Sequence, residues 1–576
     1  MLAFAAVLLT FLQRRYQLLS HFFAAKADPL NLALVRVVVF SALPLQESYV
    51  RILRFTQLPD VLQLPPVGWG PILKLFPVHT HVVAIVYYLF AAACVAAIMG
   101  MFTRFNCLLA ALLAIYVLGV PQFYGKVNHY HHLVWFALIL GFSRCGDALS
   151  IDSVFAAVKR ADEGEIEAPV ASRVYGLPLR FMMALLALVY FFPGTWKLAR
   201  GGWAWIFSDN LRIQMYQKWA EFGTWTPWLR IDRTPWVMPL LALAAVCFEI
   251  SFGLMILWPR LRPVAVVAAL AFHNSIGMIM RIPFLSLQFM YVIFPDWKGL
   301  FVTIGKRLFP RGLAVIYDDS CKLCRRTVAF LNSLNWGDRV QFIGSSSEAS
   351  LIALGAGDVL ANGLLPHFTA LASERRVYGY GAYLRLVPRL PLLLPLWPIM
   401  LLPPVRALGE WVYSRIADSR TCSIVRMNTT PMSNRAGAPS TGLWCAGISL
   451  LVLNIACGSL HVVRSWPFAC YPTFDQVKRA ELHKLIASVE MNNGVHQEYE
   501  LSHDPVMGEL FSAERWQGLT YRVEETPGGA LSANQLNAMW RVWREHHTIP
   551  GEIRSVTFHQ ETVPVSFDGH VESQRD

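Results

Sequence analysis

Charge is scarce in this 576-residue chain. Asp, Glu, Lys and Arg make up 15% of it against 55% hydrophobic residues, which excludes an ordinary soluble fold over most of its length. A concentrated basic cluster is also missing. The formal net charge of +12 comes from Lys and Arg residues that punctuate apolar segments. That pattern points to lipid headgroups and cytoplasmic loops and excludes nucleic acid as a partner. The ten cysteines are scattered, several of them inside apolar runs (Cys94, Cys107, Cys247, Cys457), so no secreted disulfide framework is expected. Repeats are absent, which sets solenoids aside. A cleavable signal peptide is not expected: the basic pair Arg14-Arg15 follows the apolar stretch Met1–Leu12, and residues 1–27 read as an interfacial segment.

What the chain does have is long apolar runs. Candidate spans fall at roughly 31–47, 81–103, 106–121, 130–143, 177–195, 236–258, 262–280 and 284–296, with a ninth at Leu443–Leu460. Several are shorter than the roughly 20 residues needed to cross upright, so some are expected to be re-entrant or buried in the bundle. If the spans alternate, Arg14–Lys26, the 144–176 loop, Arg260 with Arg262, and Lys306, Arg307 and Arg311 share one side. The positive-inside rule makes that side cytoplasmic. Lys197 and the tryptophan-rich loop 197–234 then face outward. Trp203, Trp205, Trp219, Trp225 and Trp228 there read as an interfacial belt before they read as a lining for a ring-shaped ligand.

The stretch Val189–Lys197 stands out. Pro193 removes a backbone donor, so a kink or stop is expected, and Gly194 permits close approach of another backbone or a ligand. Tyr190 and Lys197, seven apart, share a face if the helix persists. On residue physics alone Lys197 reads as a headgroup anchor before it reads as a functional amine. Glu249 and His273-Asn274 lie inside apolar runs, where ionisable groups either line a functional cavity or glue helices together. Asn128-His129-Tyr130-His131-His132 opens another span. His129 and His132 share a helix face, but no third metal ligand can be named, and hydrogen-bonded histidines are the preferred reading.

From Leu313 the character changes. Leu313–Asp319 reads as a buried strand, Ser320–Cys324 as a turn into a helix through Asn335, and Val340–Ile343 as another strand. In Cys321-Lys322-Leu323-Cys324 the first thiol sits at a helix start and the second one turn on, the arrangement of a redox dithiol; no second close pair supports zinc. Residues 421–441 form a polar linker. The polar tail 461–576 shows strand character at Leu482–Val489 and Gly551–Phe558 and an amphipathic helix over Ser532–His546.

Two resemblances attach to these residues. Tyr317–Arg326, with Gly379-Tyr380-Gly381-Ala382-Tyr383 and Gly409–Ala417, resembles the DCC family of thiol–disulfide oxidoreductase-like domains over about 312–420, which implies a thioredoxin-like fold. The family's Asp-Gly before the dithiol is Asp318-Asp319 here. Residues 28–300 resemble the HTTM family, the membrane module shared with vitamin K-dependent γ-glutamyl carboxylase. The residues that carry this are Asn128-His129, Leu149–Asp152, Tyr190…Lys197 and His273 with Ile276-Gly277, joined by Trp466-Pro467-Phe468…Tyr471-Pro472. The resemblance implies that Lys197 is the base that deprotonates a reduced quinone. Asp147, however, stands where the carboxylase has a histidine, so carboxylation does not follow.

The expected architecture is thus a multi-pass α-helical membrane bundle (28–300, with an extra helix at 442–460), a thioredoxin-like α/β domain (312–420) and a small C-terminal α+β domain (461–576). The expected function is that of a quinol-dependent membrane enzyme of the HTTM type. Lys197, Cys321 and Cys324 would be catalytic, Asn128, His129, Tyr190, Glu249 and His273 would line the quinone site, and no metal is called for. A membrane thiol–quinone oxidoreductase and a non-enzymatic lipid- or small-molecule-binding or transport protein are the alternatives. Expected partners are the bilayer, a vitamin K-like quinone or hydroquinone and a protein or peptide substrate outside. The expected location is a bacterial inner membrane, with the dithiol domain cytoplasmic and the C-terminal domain outside.

Overall fold

The computed structural model describes residues 17–124, 127–128, 130–222, 225–354, 356, 367–372, 375–418, 437–469, 471, 474–524 and 530–565. Among them, six helices are long and apolar enough to cross a membrane, or seven when one bent pair counts as a single span. The bent pair is α1 (Pro29–Ala42) and α2 (Tyr49–Phe55), which meet at 48°. Asp28 starts α1 by capping Leu30, with Pro29 pre-set for the first turn. The spans are α3 (Thr80–Met99), α4 (Thr103–Val117, continued by a 3₁₀ turn to Phe123), α7 (Arg173–Gly201), α9 (Val237–Leu257), α10 (Arg262–Met280) and α14 (Thr441–Ser459).

Two expected spans differ. Residues 130–143 give α5 (His131–Phe142), whose 12 residues rise only about 18 Å. It is enclosed by the bundle on nearly every side. Residues 284–296 form no single helix of spanning length: α11 (Leu285–Phe289) runs into a 3₁₀ turn, Met290–Ile293, and this broken stretch returns the chain from Met280 at one end of the bundle to Asp296 at the other.

The chain alternates between two ends of the bundle. At one end Ala27 bridges Ser172, Gly100 abuts Ser150, Ser440 bonds the Phe142 carbonyl and Asn31 bonds Asp296. Buried Arg36 ties this end together by donating to the carbonyls of Ile98, Cys145 and Leu149. The dithiol domain sits here, its α13 (Lys322–Ser333) lying against α6 (Ile151–Asp162). Its sheet runs β2-β1-β3-β4 (Val340–Gly344, Leu313–Tyr317, Thr369–Ala372, Arg375–Tyr378). β1 pairs parallel with β2 and antiparallel with β3, and β3 pairs antiparallel with β4, which is the thioredoxin-like arrangement.

At the opposite end lies the C-terminal domain. Its antiparallel sheet is β6-β5-β7 (His496–Glu500, Glu481–Met491, Ile553–Pro564), packed with α15 (Pro505–Phe511), α16 (Ala513–Glu524) and α17 (Ala530–Glu545). Arg515, fully buried, donates to Glu47, to the Pro121 carbonyl at 2.9 Å and to the Tyr130 hydroxyl at 3.0 Å. The expected 421–441 linker lies outside the described residues as far as 436.

Candidate functional site

α7 supplies two of the polar groups. Pro193 does not end it: the helix stays regular to Gly201 and closes at Gly202, whose φ of 54° suits a residue without a Cβ. Because α7 persists, Tyr190 and Lys197 do share a face. Gly194 matters on the neighbouring face. A Cβ there would stand 2.9 Å from the Cβ of Glu249 and 3.0 Å from the Ile250 side chain, so glycine lets α9 come close enough to present Glu249. Lys197 Nζ lies 2.5 and 2.6 Å from the two Glu249 carboxylate oxygens and 5.1 Å from the centre of the Trp205 ring. Lysine and glutamate are 4% and 5% exposed, so Lys197 is no snorkelling anchor.

A second polar group lies beside the first. The Tyr190 hydroxyl is 2.7 Å from His273 Nε2 on α10 and is hydrogen-bonded to the Tyr291 hydroxyl. His273 is buried, and its Nδ1 has no hydrogen-bond partner among the described residues. Lys197, Glu249, Tyr190 and His273 all line one cavity of about 430 Å³, walled otherwise mainly by apolar groups such as Phe248, Leu287 and Phe474, with Gln214, Ser275 and Tyr471 the further polar residues. A polar pair at each of two places in an apolar chamber is the layout of a small-molecule site.

The other expected residues divide. Asn128 does not line this cavity; its backbone N–H donates to Gln122 Oε1 at 2.7 Å. His129 lies outside the described residues. Asn274 turns to Leu270 and Gln288 on the exposed surface. The tryptophan belt splits as well. Trp203 and Trp228 are exposed, whereas Trp205 and Trp219 are buried, with their indole N–H groups on the carbonyls of Phe474 and Ile279. Tyr291 and Tyr471 were not singled out by their own chemistry, although both belong here. Tyr471 lines the cavity and holds buried His132 at 3.1 Å from its hydroxyl. The one available signal is general: a buried tyrosine hydroxyl needs a partner. Asp147, at the other end, accepts from Tyr175 at 2.7 Å and pairs with Arg144.

The dithiol lies in the second domain. Asp318, at the end of β1, accepts from the N–H and the hydroxyl of Ser320, forming the turn that delivers Cys321 to the N-cap of α13. Cys324 follows one turn later. The two are 3% and 9% exposed. Residues next to both cysteines hold α13 on α6. Arg325 donates to the Ala161 carbonyl, Arg326 makes two bonds to Asp162 at 2.8 and 2.7 Å, and Lys322 stands 3.4 Å from the same carboxylate. These bonds, Arg326 foremost, pull the Asp162 carboxyl down to about 2. Dithiol and Lys197 belong to opposite ends: the run of α7 from Arg173 to Lys197 alone rises about 36 Å.

Comparison with known proteins follows this division. Residues 28–297 match the family model of the HTTM domain, and residues 315–424 match that of the DCC1-like thiol-disulfide oxidoreductase. Searches of curated proteins and of solved structures each gave no match. The chain is a membrane redox-related protein in which an HTTM domain is joined to a DCC1-like thiol-disulfide oxidoreductase domain.

Proposed function

We propose that the protein is a quinol-dependent membrane enzyme in which Lys197 and Glu249 act together as the base. The observation that supports this most is the convergence of Lys197, Glu249, Tyr190 and His273 on one apolar cavity. The cavity suits a hydroquinone. It is large enough for one ring system, its polar groups stand in two places, and the orphaned Nδ1 of His273 is a hydrogen-bonding position that a ligand oxygen can fill. Such a ring would bring an acidic hydroxyl and two electrons.

The residues do the rest. In a dry site the proton of the Lys197–Glu249 pair can rest on the carboxylate, which leaves the amine able to accept another. Tyr190, held between His273 and Tyr291, keeps a hydroxyl pointed at a fixed place and limits how a ring can turn. The apolar walls keep water from protonating Lys197 directly. Carboxylation is no part of the proposal, because Asp147 is committed to Tyr175 and Arg144 away from the cavity. The concentration of Arg144, Arg160, Arg173, Arg260 and Arg262 near the dithiol end supports placing that end in the cytoplasm and the C-terminal domain outside.

Oxygen-dependent oxidation of a reduced naphthoquinone in the presence of purified protein, with dissolved dioxygen as the two-electron acceptor, tests this reading. Lys197→Ala should lower the rate by about 10²-fold or more, while Cys321→Ser/Cys324→Ser retains it. Loss confined to the cysteine variant would instead favour a thiol–quinone oxidoreductase. A wild type inert towards quinols would remove the proposal.

A further inference from the structure

The dithiol domain carries an apolar surface that its own core does not use. The helix Pro403–Asp418 rests on the domain along one half-buried ridge, Val405, Gly409, Tyr413 and Ala417. There Gly409 lies against the Tyr380 ring, and the Tyr413 hydroxyl accepts from the Phe368 N–H at 2.9 Å. The next ridge, Leu408, Val412 and Ile416, is 39–59% exposed, with exposed Trp411 beside it. The segment before this helix is held by polar bonds, from the Trp397 indole to the Leu384 carbonyl at 3.1 Å and from the Tyr380 hydroxyl to the Met400 carbonyl at 3.2 Å. Its Leu394, Leu396, Ile399, Leu401 and Leu402 stay exposed. α12 (Trp297–Leu308), which leaves the bundle, repeats the pattern: Phe301 packs on Trp336, while Leu300, Ile304 and Leu308, four residues apart, are exposed. The two segments meet where Arg389 covers the Phe309 ring, and Leu393 shares a cluster with Leu30 and Leu34 at the start of α1. Apolar surface gathered in this way marks an interaction site.

We propose that this surface is embedded in the adjoining leaflet of the bilayer, as an interfacial anchor built from α12 and residues 389–418. A lipid surface fits it on three counts. The surface is continuous with the end of α1, where the bundle leaves the membrane. Its basic residues, Lys306, Arg307, Arg389, Arg406 and Arg415, outnumber the acidic Glu410 and Asp418, which suits anionic headgroups. Its leucines suit the boundary between headgroups and acyl chains, into which an amphipathic helix sinks its apolar face. The anchor holds the domain at a second place, besides the docking of α13 on α6, and keeps the dithiol at the membrane surface.

The test places a fluorescent amino acid at Leu401 or Leu408 of the full-length protein, in nanodiscs that hold one copy each. Ile352 is the reference position, exposed on the helix Glu348–Ala353 that covers the other face of the sheet. Lipids with a nitroxide on the upper acyl chain should quench the probe about twofold or more at both test positions and leave it nearly unchanged at Ile352. Val412→Glu/Ile416→Glu, at an unchanged thermal unfolding midpoint, should bring quenching at Leu408 down towards that at Ile352. Test positions quenched no more than Ile352 overturn the anchor. A signal at Leu408 that is unmoved by lipid and changes only when copies are concentrated in detergent assigns the surface to a second copy of the chain, and overturns it as well.

Discussion

Lys197 and Glu249 were each visible in the sequence as a charge out of place, but not as a pair. They are 52 residues apart, and what joins them is a glycine that lets two helices touch. The energetics of the pair separate chemistry from architecture. Glu249→Ala leaves a buried ammonium without its carboxylate, which should cost about 3–5 kcal/mol, read as a lower denaturation midpoint in detergent. Lys197→Met/Glu249→Leu removes both charges at similar volume, so most of that stability should return while quinol oxidation stays absent. A double variant as unstable as the single one would mean that the ion pair holds the bundle together and has no separate chemical role. The tyrosines illustrate what was not legible. Nothing in the local pattern around Tyr291 says that its hydroxyl meets Tyr190 across 101 residues of chain.

Among the elements, α7 was singled out in the sequence for Tyr190 and Lys197, and its proline was over-read. Pro178 and Pro193 both lie within a continuous helix, because enclosure by neighbouring helices tolerates a lost backbone bond that an exposed helix would not. The tight contact at Gly194 is the element-scale counterpart of the ion pair. Gly194→Ala places a methyl 2.9 Å from the Glu249 Cβ and should cost about 1–3 kcal/mol, with a loss of activity larger than that of an equally destabilising change elsewhere. The docking of α13 on α6 makes a different prediction. Its Asp162 carboxyl is held down to about 2 from an ordinary value of 3.8, so its bonds to Arg326 and Lys322 are fully present above about pH 4 and fade as the pH falls towards 2. Hydrogen exchange in α13, corrected for its intrinsic pH dependence, should stay constant from about pH 5 to 8 and rise only in acid. Asp162→Ala should show the raised exchange at neutral pH and label Cys321 with maleimide faster, because the cations it releases flank both cysteines.

For the molecule as a whole, the helical membrane bundle and the α/β character of the dithiol domain were open to sequence reading because apolar runs, a helix-start Cys pair and short strands are local signals, whereas the thioredoxin-like fold followed from the family resemblance. How the C-terminal domain joins the bundle was not, since that joint rests on single side chains far apart in the chain. Arg515 inserts into a pocket made by Glu47, the Pro121 carbonyl and Tyr130, and Gln122 in turn bonds the Tyr130 hydroxyl. The segment that connects α14 to this domain also builds part of the cavity wall through Tyr471 and Phe474. Release of the domain should therefore reach the site. Arg515→Ala leaves the buried Glu47 carboxylate with only the more distant Arg51, at 3.8 Å, and Tyr130, and should weaken the joint by up to about 3 kcal/mol, seen as faster proteolytic release of the C-terminal domain. If the domain braces the cavity, ligand affinity falls in step with that release, and Glu47→Gln/Arg515→Met, which removes both charges, restores the two together. If affinity holds while the domain comes loose, Tyr471 is kept in place by His132 and the aromatic cluster of α5 alone, and the C-terminal domain serves a task separate from the cavity.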